Sequence, residues 1–298
     1  MPHDLARLIA THVGAFLATV IVVAVVVAAI FWHAVERYAP RGWAWSVAAW
    51  ERLRSTALAA HLGRVPVLGR LLSGVFTVAR YLGIVAIVGL LSAAGATALF
   101  FGLADEIGVG ESLAAFDIAL NDALRAQVPR ETLALFAVIT HLGDRNFLVG
   151  LGTVVFTTLL ARRRAGLAAA WLYATLGGAL LNPLLKAVFA RSRPLHDHGL
   201  VEATGWSFPS GHASGALLVY GMLAYLVVRH TRVVLHLPVA TVAIVLVILV
   251  GASRVILQVH YLSDVLAGYM SAAAWIAICI AALEALRWRE QRNGSRVF

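Results

Sequence analysis

Three short polar runs, separated by almost continuously apolar sequence, contain residue types that could bind and cleave a phosphate ester. The first run, from Lys186 to Pro194, supplies the cations Lys186 and Arg193, and the third run, from Ser253 to Asp264, supplies Arg254. A phosphoryl group in transfer carries negative charge on its oxygens, and positioned cations and N–H donors stabilise it. The sequence therefore predicts that the three runs meet around one anion.

The middle run, from Pro209 to His212, adds a second kind of anion donor. Pro209 suits the first turn of a helix, and Ser210 and Gly211 then open a new apolar segment. The backbone N–H groups at the start of a helix lack partners within it, and the helix dipole makes this end positive. We expect the amides of Ser210 and Gly211 to face the phosphate.

Two histidines and one carboxylate supply the reactive groups. His212, His260 and Asp264 are of the types needed for an acid, a nucleophile and a group that orients the nucleophile. His260 and Asp264 are four positions apart, a spacing that on a helix places both side chains on one face. The carboxylate could then accept a hydrogen bond from one ring nitrogen and leave the other free to attack phosphorus.

In residue types, order and spacing, these runs resemble the K-x6-RP, PSGH and SR-x5-H-x3-D signature of the type 2 phosphatidic acid phosphatase (PAP2) superfamily. The resemblance is to its membrane-bound lipid phosphatases. The signature covers Lys186 to Asp264 and includes Pro194, Pro209 and Ser253 as supporting residues. Three separated motifs in the right order are far more specific than one short pattern. A similar helix layout is expected over residues 81–286, with the first 80 residues outside it.

The resemblance implies a phosphatase that needs neither a metal ion nor a cofactor. In that scheme His260 attacks the phosphate to form a phosphohistidine, and Asp264 fixes the tautomer of His260. His212 protonates the departing lipid oxygen and then removes a proton from water. The oxygens are held by Lys186, Arg193, Ser210, Gly211 and Arg254. A metal site is disfavoured because the chain lacks an H-E-x-x-H pattern.

The composition indicates an integral membrane protein. Of the 298 residues, 61% are hydrophobic and 13% are charged, which is unlike an average soluble domain. The net charge is +9, but the arginines lie mainly in short segments between apolar runs, where they set topology rather than bind nucleic acid. Lys186 is the single lysine of the chain, and Cys279 is its single cysteine. One cysteine cannot form a disulfide framework.

The apolar runs predict an all-α integral membrane protein. The expected fold is a six-helix transmembrane bundle of the PAP2 and haloperoxidase type, with one extra N-terminal transmembrane helix. The predicted spans cover residues 12–32, 81–103, a segment ending at 160, 167–187, 209–228, 237–252 and a last segment that begins with His260. The start of the third span stays open within residues 132–142. An amphipathic helix is expected at about residues 116–126, over the mouth of the site.

The corresponding domain organisation has four parts. Residues 1–33 form an N-terminal transmembrane anchor, and residues 34–80 form a basic, tryptophan-rich segment that is cytoplasmic or interfacial. Residues 81–286 form the catalytic transmembrane domain, and residues 287–298 form a basic cytoplasmic tail.

The alternation of spans places the three polar runs at one membrane face and the arginine-rich turns at the other. Arginine-rich loops tend to stay in the cytoplasm. We therefore expect a multi-pass protein of the cell membrane whose site is extracytoplasmic, whose C-terminus is cytoplasmic and whose N-terminus is outside.

The expected function is hydrolysis of a lipid phosphate or diphosphate whose tail lies among the helices. Candidate substrates are undecaprenyl diphosphate, phosphatidic acid, phosphatidylglycerol phosphate and the phosphates of lipid A, and the signature does not rank them. A lipid phosphotransferase that uses the same phosphohistidine is an alternative. A non-catalytic transporter or scaffold is disfavoured, because an ion path has no need for His260 and Asp264 at this spacing. The expected partners are the lipid and the bilayer, without nucleic acid, and the oligomeric state is not indicated.

Overall fold

The computed structural model describes residues 2–54, 87–108, 110–195 and 198–293, and the regular structure within them is helical. In chain order the first helices are α1 (Pro2–Thr11), α2 (Val13–Arg54), α3 (Ile87–Asp105), α4 (Ser112–Gln127) and α5 (Arg130–Thr140). They are followed by α6 (Arg145–Ala161), α7 (Ala165–Phe189), α8 (Gly211–His230), α9 (His236–Ile256) and α10 (Leu262–Asn293). Short 3-10 turns at His141–Gly143 and Val233–Leu235 precede α6 and α9.

Six helical segments in the described residues are long and apolar enough to cross a bilayer. They lie in α2, α3, α7, α8, α9 and α10. The segment in α9 also includes the 3-10 turn before it, whereas the segments in α2 and α10 end at Ile30 and Arg287, inside those helices. The helix α6 has 17 residues and is shorter than these. The all-α membrane fold expected from the sequence is therefore confirmed. The open boundary of the third span is resolved by the turn at His141–Gly143, which separates α5 from α6.

The N-terminal part of the chain differs from the expected anchor in two ways. The first residues form a separate short helix, α1, whose Ala6 and Ala10 are buried against α4. The helix α2 then runs without a break past residue 33 to Arg54, so the expected boundary between residues 33 and 34 is not a helix end. Residues 55–80 of the expected interfacial segment, and residues 81–86 of the expected second span, lie outside the described residues.

The start of α2 lies at the end of the bundle that carries the polar runs. Val13 and Leu17 pack against the cluster that includes Leu257 and Val259, and Val259 directly precedes His260. The described start of α2 and the polar runs thus lie at the same end of the bundle.

The helix α8 is central, since it packs against α6, α7, α9 and α10. Glycines permit the close approach that such packing needs. A Cβ at Gly177 would lie 2.1 Å from the Trp275 ring, and a Cβ at Gly268 would lie 2.7 Å from the carbonyl oxygen of Ser210. The indole of Trp275 also donates to the Ala174 carbonyl at 2.9 Å. These contacts hold α7 and α10 firmly beside the start of α8.

At the opposite end of α8, a carboxylate joins α8 to α10. Glu284 accepts a hydrogen bond from the Tyr225 hydroxyl and from Arg229 Nε at 3.0 Å. Arg287 Nη1 lies 3.5 Å from the same carboxylate. The helix α10 continues to Asn293, beyond the expected start of the tail at residue 287, and residues 294–298 lie outside the described residues.

Candidate active site

His260 lies in the turn between α9 and α10 rather than on a helix. Gln258 takes a left-handed conformation with φ of 53°, and the amides of Val259 and His260 both donate to the Arg254 carbonyl, at 3.1 and 3.2 Å. Asp264 lies in the first turn of α10. The expectation that both side chains share a helical face is therefore wrong. They meet because the turn folds back onto the helix start.

The Asp264 carboxylate holds one side of the His260 ring. Its Oδ2 lies 3.3 Å from His260 Nδ1 and accepts the Tyr261 amide, the last one before α10, at 2.9 Å. The Ser207 hydroxyl also donates to this oxygen and lies 3.2 Å from His260 Nδ1. Asp264 is fully buried. Because Nδ1 faces the carboxylate, Nε2 is the nitrogen available to a substrate.

Arg193 lies against the available nitrogen of His260. Its Nη1 is 3.0 Å from His260 Nε2 and donates to the Val259 carbonyl at 2.7 Å. Further donation to the carbonyls of Thr204 and Gly205, both at 3.0 Å, fixes the guanidinium. Burial lowers the pKa of His260 to about 3, and Arg193 adds to this effect while Asp264 opposes it. The imidazole is therefore neutral near pH 7, with a lone pair on Nε2.

Lys186 and Arg254 complete the cationic lining. Lys186 Nζ donates to the carbonyls of Trp206 and, at 3.1 Å, Ser207. Arg254 Nη1 donates to the Thr140 hydroxyl at 2.7 Å, and among the described residues no acceptor faces its buried Nε. The charges of Arg193 and Arg254 act on Lys186 and on both histidines. The three polar runs thus converge at one end of the bundle.

His212 is held by a carboxylate of its own. It lies in the first turn of α8, and its Nε2 is 2.9 Å from Asp144 Oδ1. The other oxygen of Asp144 lies 2.6 Å from Nδ1 of His141, a residue whose side chain is largely exposed. Burial alone would raise the pKa of Asp144, but the hydrogen bonds from His141 and His212 outweigh it and lower this pKa.

The start of α8 differs from the expected anion donor. Ser210 is the capping residue, with its hydroxyl accepting from the Ala213 amide, and Pro209 precedes the cap rather than opening the first turn. The Ser210 amide donates to the Asp264 carbonyl at 2.9 Å. It is therefore engaged within the protein, and Gly211 is left as the expected backbone donor at this helix end.

The supporting residues are placed for structure. Ser253 is fully buried and its hydroxyl donates to the Val250 carbonyl one turn earlier, at 2.6 Å. Pro194 is buried directly after Arg193. His198 contacts the Leu257 carbonyl at 2.8 Å, whereas His196 and Asp197 lie outside the described residues.

A buried charge cluster next to Asp264 was missed from the sequence. Arg191 Nη1 lies 2.7 Å from Asp264 Oδ1, and its Nη2 lies 3.0 Å from Asp117 Oδ2. Asp117 also accepts the Ser263 amide at 3.1 Å. The Arg191 guanidinium stacks over the Tyr261 ring at 4.3 Å. Asp117 belongs to α4, so the amphipathic helix expected near the mouth of the site is observed and contacts it.

Sequence signals for the missed residues were weak. Arg191 is two positions before Arg193, and Asp117 is a charged residue on a face of α4 that also buries Leu120 and Leu124. Asp144 occupies the position before α6, where a helix cap is the usual interpretation. Ser207 and Thr140 belong to no sequence motif that would indicate a role in the site. Among the described residues, no group of three or more histidine, cysteine, aspartate or glutamate side chains could hold a metal ion.

Comparison with known proteins gives one family and a small set of relatives. Residues 166–288 match the model of the PAP2 superfamily. The chain is 38% identical over 136 residues to phosphatidylglycerophosphatase B of Bacillus subtilis, and the match covers 44% of this chain and 65% of the relative. It is 29% identical over 197 residues to lipid A 1-phosphatase of Rhizobium etli, covering 58% of this chain and 79% of the relative.

A solved structure has a similar fold. It is the transmembrane PAP2 type phosphatidylglycerolphosphate phosphatase from Bacillus subtilis, with a TM-score of 0.58 and 29% sequence identity. The likeness covers 67% of this chain and 96% of that one. The signature residues from Lys186 to Asp264 lie within residues 166–288, which the family model matches.

Proposed function

Because residues 166–288 carry a PAP2 superfamily domain, we propose that this protein is a membrane-bound lipid phosphatase that works through a phosphohistidine. The observation that carries the proposal is the setting of His260. Its Nδ1 faces Asp264, while its Nε2 points at a cationic side chain, Arg193, at 3.0 Å. A neutral imidazole with one nitrogen oriented and the other next to cations is suited to attack a phosphate.

In the first step, His260 Nε2 forms a bond to phosphorus and the bond from phosphorus to the lipid oxygen breaks. His212 gives its proton to that oxygen, and the lipid alcohol leaves. In the second step, a water oxygen attacks phosphorus, His212 takes the proton of that water, and the bond to Nε2 breaks. Inorganic phosphate is released, and both histidines return to their starting states.

The cations stabilise the charge that builds up on the phosphoryl oxygens. Lys186, Arg193 and Arg254 now donate to protein carbonyls and a hydroxyl, and Arg254 Nε has no acceptor within the described residues. A phosphate oxygen would satisfy this donor. Removing one such positioned donor costs about 100-fold to 1000-fold in kcat in other enzymes.

The proposed substrate is a phosphorylated lipid, because the site lies at the end of apolar helices. Two relatives are named for phosphatidylglycerophosphate and for the 1-phosphate of lipid A, and these lipids are the first to test, together with phosphatidic acid and undecaprenyl diphosphate. The arginines of the turns at 162–164 and 229–232 lie at the opposite end of the bundle. By the positive-inside tendency, the site then faces the extracytoplasmic side.

The decisive experiment uses the full chain, purified in detergent, with these four lipids. We expect phosphate release from at least one lipid and, after an alkaline quench, a phosphoenzyme that is absent from His260→Ala. Glu131→Gln, which removes an exposed charge from α5, is the control and should behave as the wild type. Turnover by His260→Ala at the wild-type rate would contradict the mechanism. Transfer of labelled phosphate to an added alcohol, without free phosphate, would favour a phosphotransferase.

A further inference from the structure

Asp144 occupies a helix-capping position without capping the helix. It is the residue immediately before α6, and its side chain makes no hydrogen bond to the first amides of that helix. Aspartate at this position normally accepts such a bond and stabilises the helix. Both carboxylate oxygens are instead directed to histidines, one to His212 and one to His141. The carboxylate therefore serves another purpose at this point of the fold.

The surroundings of His212 explain why a carboxylate is needed there. Two arginines, Arg254 and Arg193, act on its ring through their charges, and Asp144 is the carboxylate that faces the ring, with Oδ1 2.9 Å from Nε2. The proposed reaction requires His212 to carry a proton when the lipid oxygen departs. A carboxylate at hydrogen-bond distance stabilises the imidazolium and fixes the ring. Because Nε2 faces Asp144, Nδ1 is the ring nitrogen that remains to exchange a proton in the proposed reaction.

We propose that Asp144 is a positioning residue for the acid and base His212, and that His141 holds the second oxygen of Asp144 so that the first one faces His212. This inference rests on the proposed function, and it gives each histidine of the reaction its own carboxylate. Asp264 orients the nucleophile from α10, and Asp144 orients the proton donor from the turn before α6. In this role Asp144 acts through His212, and His141 acts through Asp144.

The test compares two substrates that differ in their need for an acid. A natural lipid phosphate has a poor leaving group, whereas a p-nitrophenyl phosphate with an alkyl tail has a good one. Asp144→Asn removes the charge but keeps the size of the side chain, and asparagine is as well suited as aspartate to the capping position. On the lipid we expect kcat to fall about 100-fold, within the range for loss of general acid catalysis. On the aryl phosphate the burst of p-nitrophenol should stay within about threefold of wild type, followed by slow turnover, because the second step still needs the base.

A double-mutant comparison tests the route of the effect. If Asp144 acts through His212, then adding Asp144→Asn to His212→Asn should cause no further loss of kcat on the lipid. His141→Ala should lower kcat less than Asp144→Asn does, since Asp144 remains beside His212. Glu131→Gln again serves as the control for loss of a carboxylate.

The outcomes separate this inference from the proposed function. Failure of the wild type to release phosphate from any lipid would overturn the proposed function. If the wild type releases phosphate, three results for Asp144→Asn would overturn the role of Asp144 and leave the proposed function standing. The variant could be fully active, it could lose the burst as much as it loses activity on the lipid, or its loss could add to that of His212→Asn. Burst retention with loss on the lipid and no further loss in the double variant would support it.

Discussion

Arg191 bridges two buried carboxylates, with Nη1 2.7 Å from Asp264 Oδ1 and Nη2 3.0 Å from Asp117 Oδ2. The two carboxylates are fully buried and the Arg191 side chain is 12% exposed. The guanidinium thus couples α4, which lies beside the bundle, to the carboxylate that orients His260. Breaking a buried ion pair by removing one partner leaves an uncompensated charge.

We therefore expect Arg191→Met to destabilise the fold by about 3 kcal/mol and to lower kcat at least about tenfold, because Asp264 loses a donor and Asp117 loses its cationic partner. Thermal unfolding in detergent and phosphate release measure the two effects. Asp117→Asn added to Arg191→Met should recover part of the stability. Arg130→Gln, an exposed arginine on α5, is the matched control and should stay within about 0.5 kcal/mol of wild type. Wild-type stability of Arg191→Met would contradict a structural role for the bridge.

The pKa of His260 leads to a prediction about pH. Burial lowers this pKa to about 3, so the imidazole remains neutral as the pH falls from 7.5 to 5. The pre-steady-state burst with an alkylated p-nitrophenyl phosphate should therefore stay nearly constant over this range. A histidine with the ordinary pKa of about 6.5 would be protonated at pH 5 and would lose about thirtyfold in rate. A burst that declines along a curve centred near pH 6.5 would show that His260 titrates normally.

The lowered pKa of His260 also makes the stability of the fold depend on pH, and the direction follows from which state binds the proton. Between about pH 3 and 6.5 the unfolded chain binds a proton at His260 and the folded protein does not, so stability falls as the pH is lowered through this window. His260→Gln removes this contribution. The unfolding temperature of His260→Gln, measured in detergent from pH 7 to pH 4, should therefore decline less than that of the wild type. Parallel declines would argue that burial does not shift the pKa.

Two helical glycines provide a matched test of close packing near the site. A Cβ at Gly251 would lie 1.8 Å from the Tyr269 hydroxyl oxygen and 2.8 Å from Val265, and that hydroxyl donates to the Val247 carbonyl at 2.7 Å. Gly251→Ala should destabilise the protein by about 1–3 kcal/mol through overpacking, and it should lower activity because Arg254 is one turn away. Gly150 has no atom within 4 Å of such a Cβ. Gly150→Ala should therefore leave stability unchanged or raise it by up to about 1 kcal/mol. Equal effects of the two substitutions would contradict the packing described here.

The side of the membrane that the site faces can be tested with single cysteines in a Cys279→Ser background. Leu195 is 78% exposed near the site, and Thr231 is exposed in the basic turn at the other end. On intact cells, a membrane-impermeant maleimide should label Leu195→Cys and leave Thr231→Cys unlabelled until the cells are opened. The reverse pattern would place the site in the cytoplasm.

Much of the fold could be predicted because the bilayer restricts it. A span must be helical and apolar over about 20 residues, so α7, α8 and α9 were expected within about four residues of their observed ends. The three cations and two histidines were expected to converge because their runs lie at matching ends of these spans. Periodicity carried less information where the chain turns, and for this reason the separate helix α1 and the turn at His141–Gly143 were not predicted.

The rest of the site depends on tertiary contacts that leave little trace in local sequence. His260 and Asp264 were expected to meet through helical spacing, but they meet because Gln258 reverses the chain before α10. Asp144 is 68 positions from His212 and Arg191 is 74 positions from Asp117. No local pattern joins residues so far apart. They were found only when the helices that carry them were placed side by side.

Asp264 accepts the Tyr261 amide at the start of α10 and also faces the His260 ring. One carboxylate thus stabilises the start of α10 and also orients the nucleophile. A mutant library screened for well-expressed but inactive proteins would yield few substitutions at Asp264, because most such substitutions would also destabilise the first turn of α10. A substitution at Asp264 therefore affects both folding and catalysis. The amount of folded protein must be measured together with the rate before a loss of activity is attributed to either one.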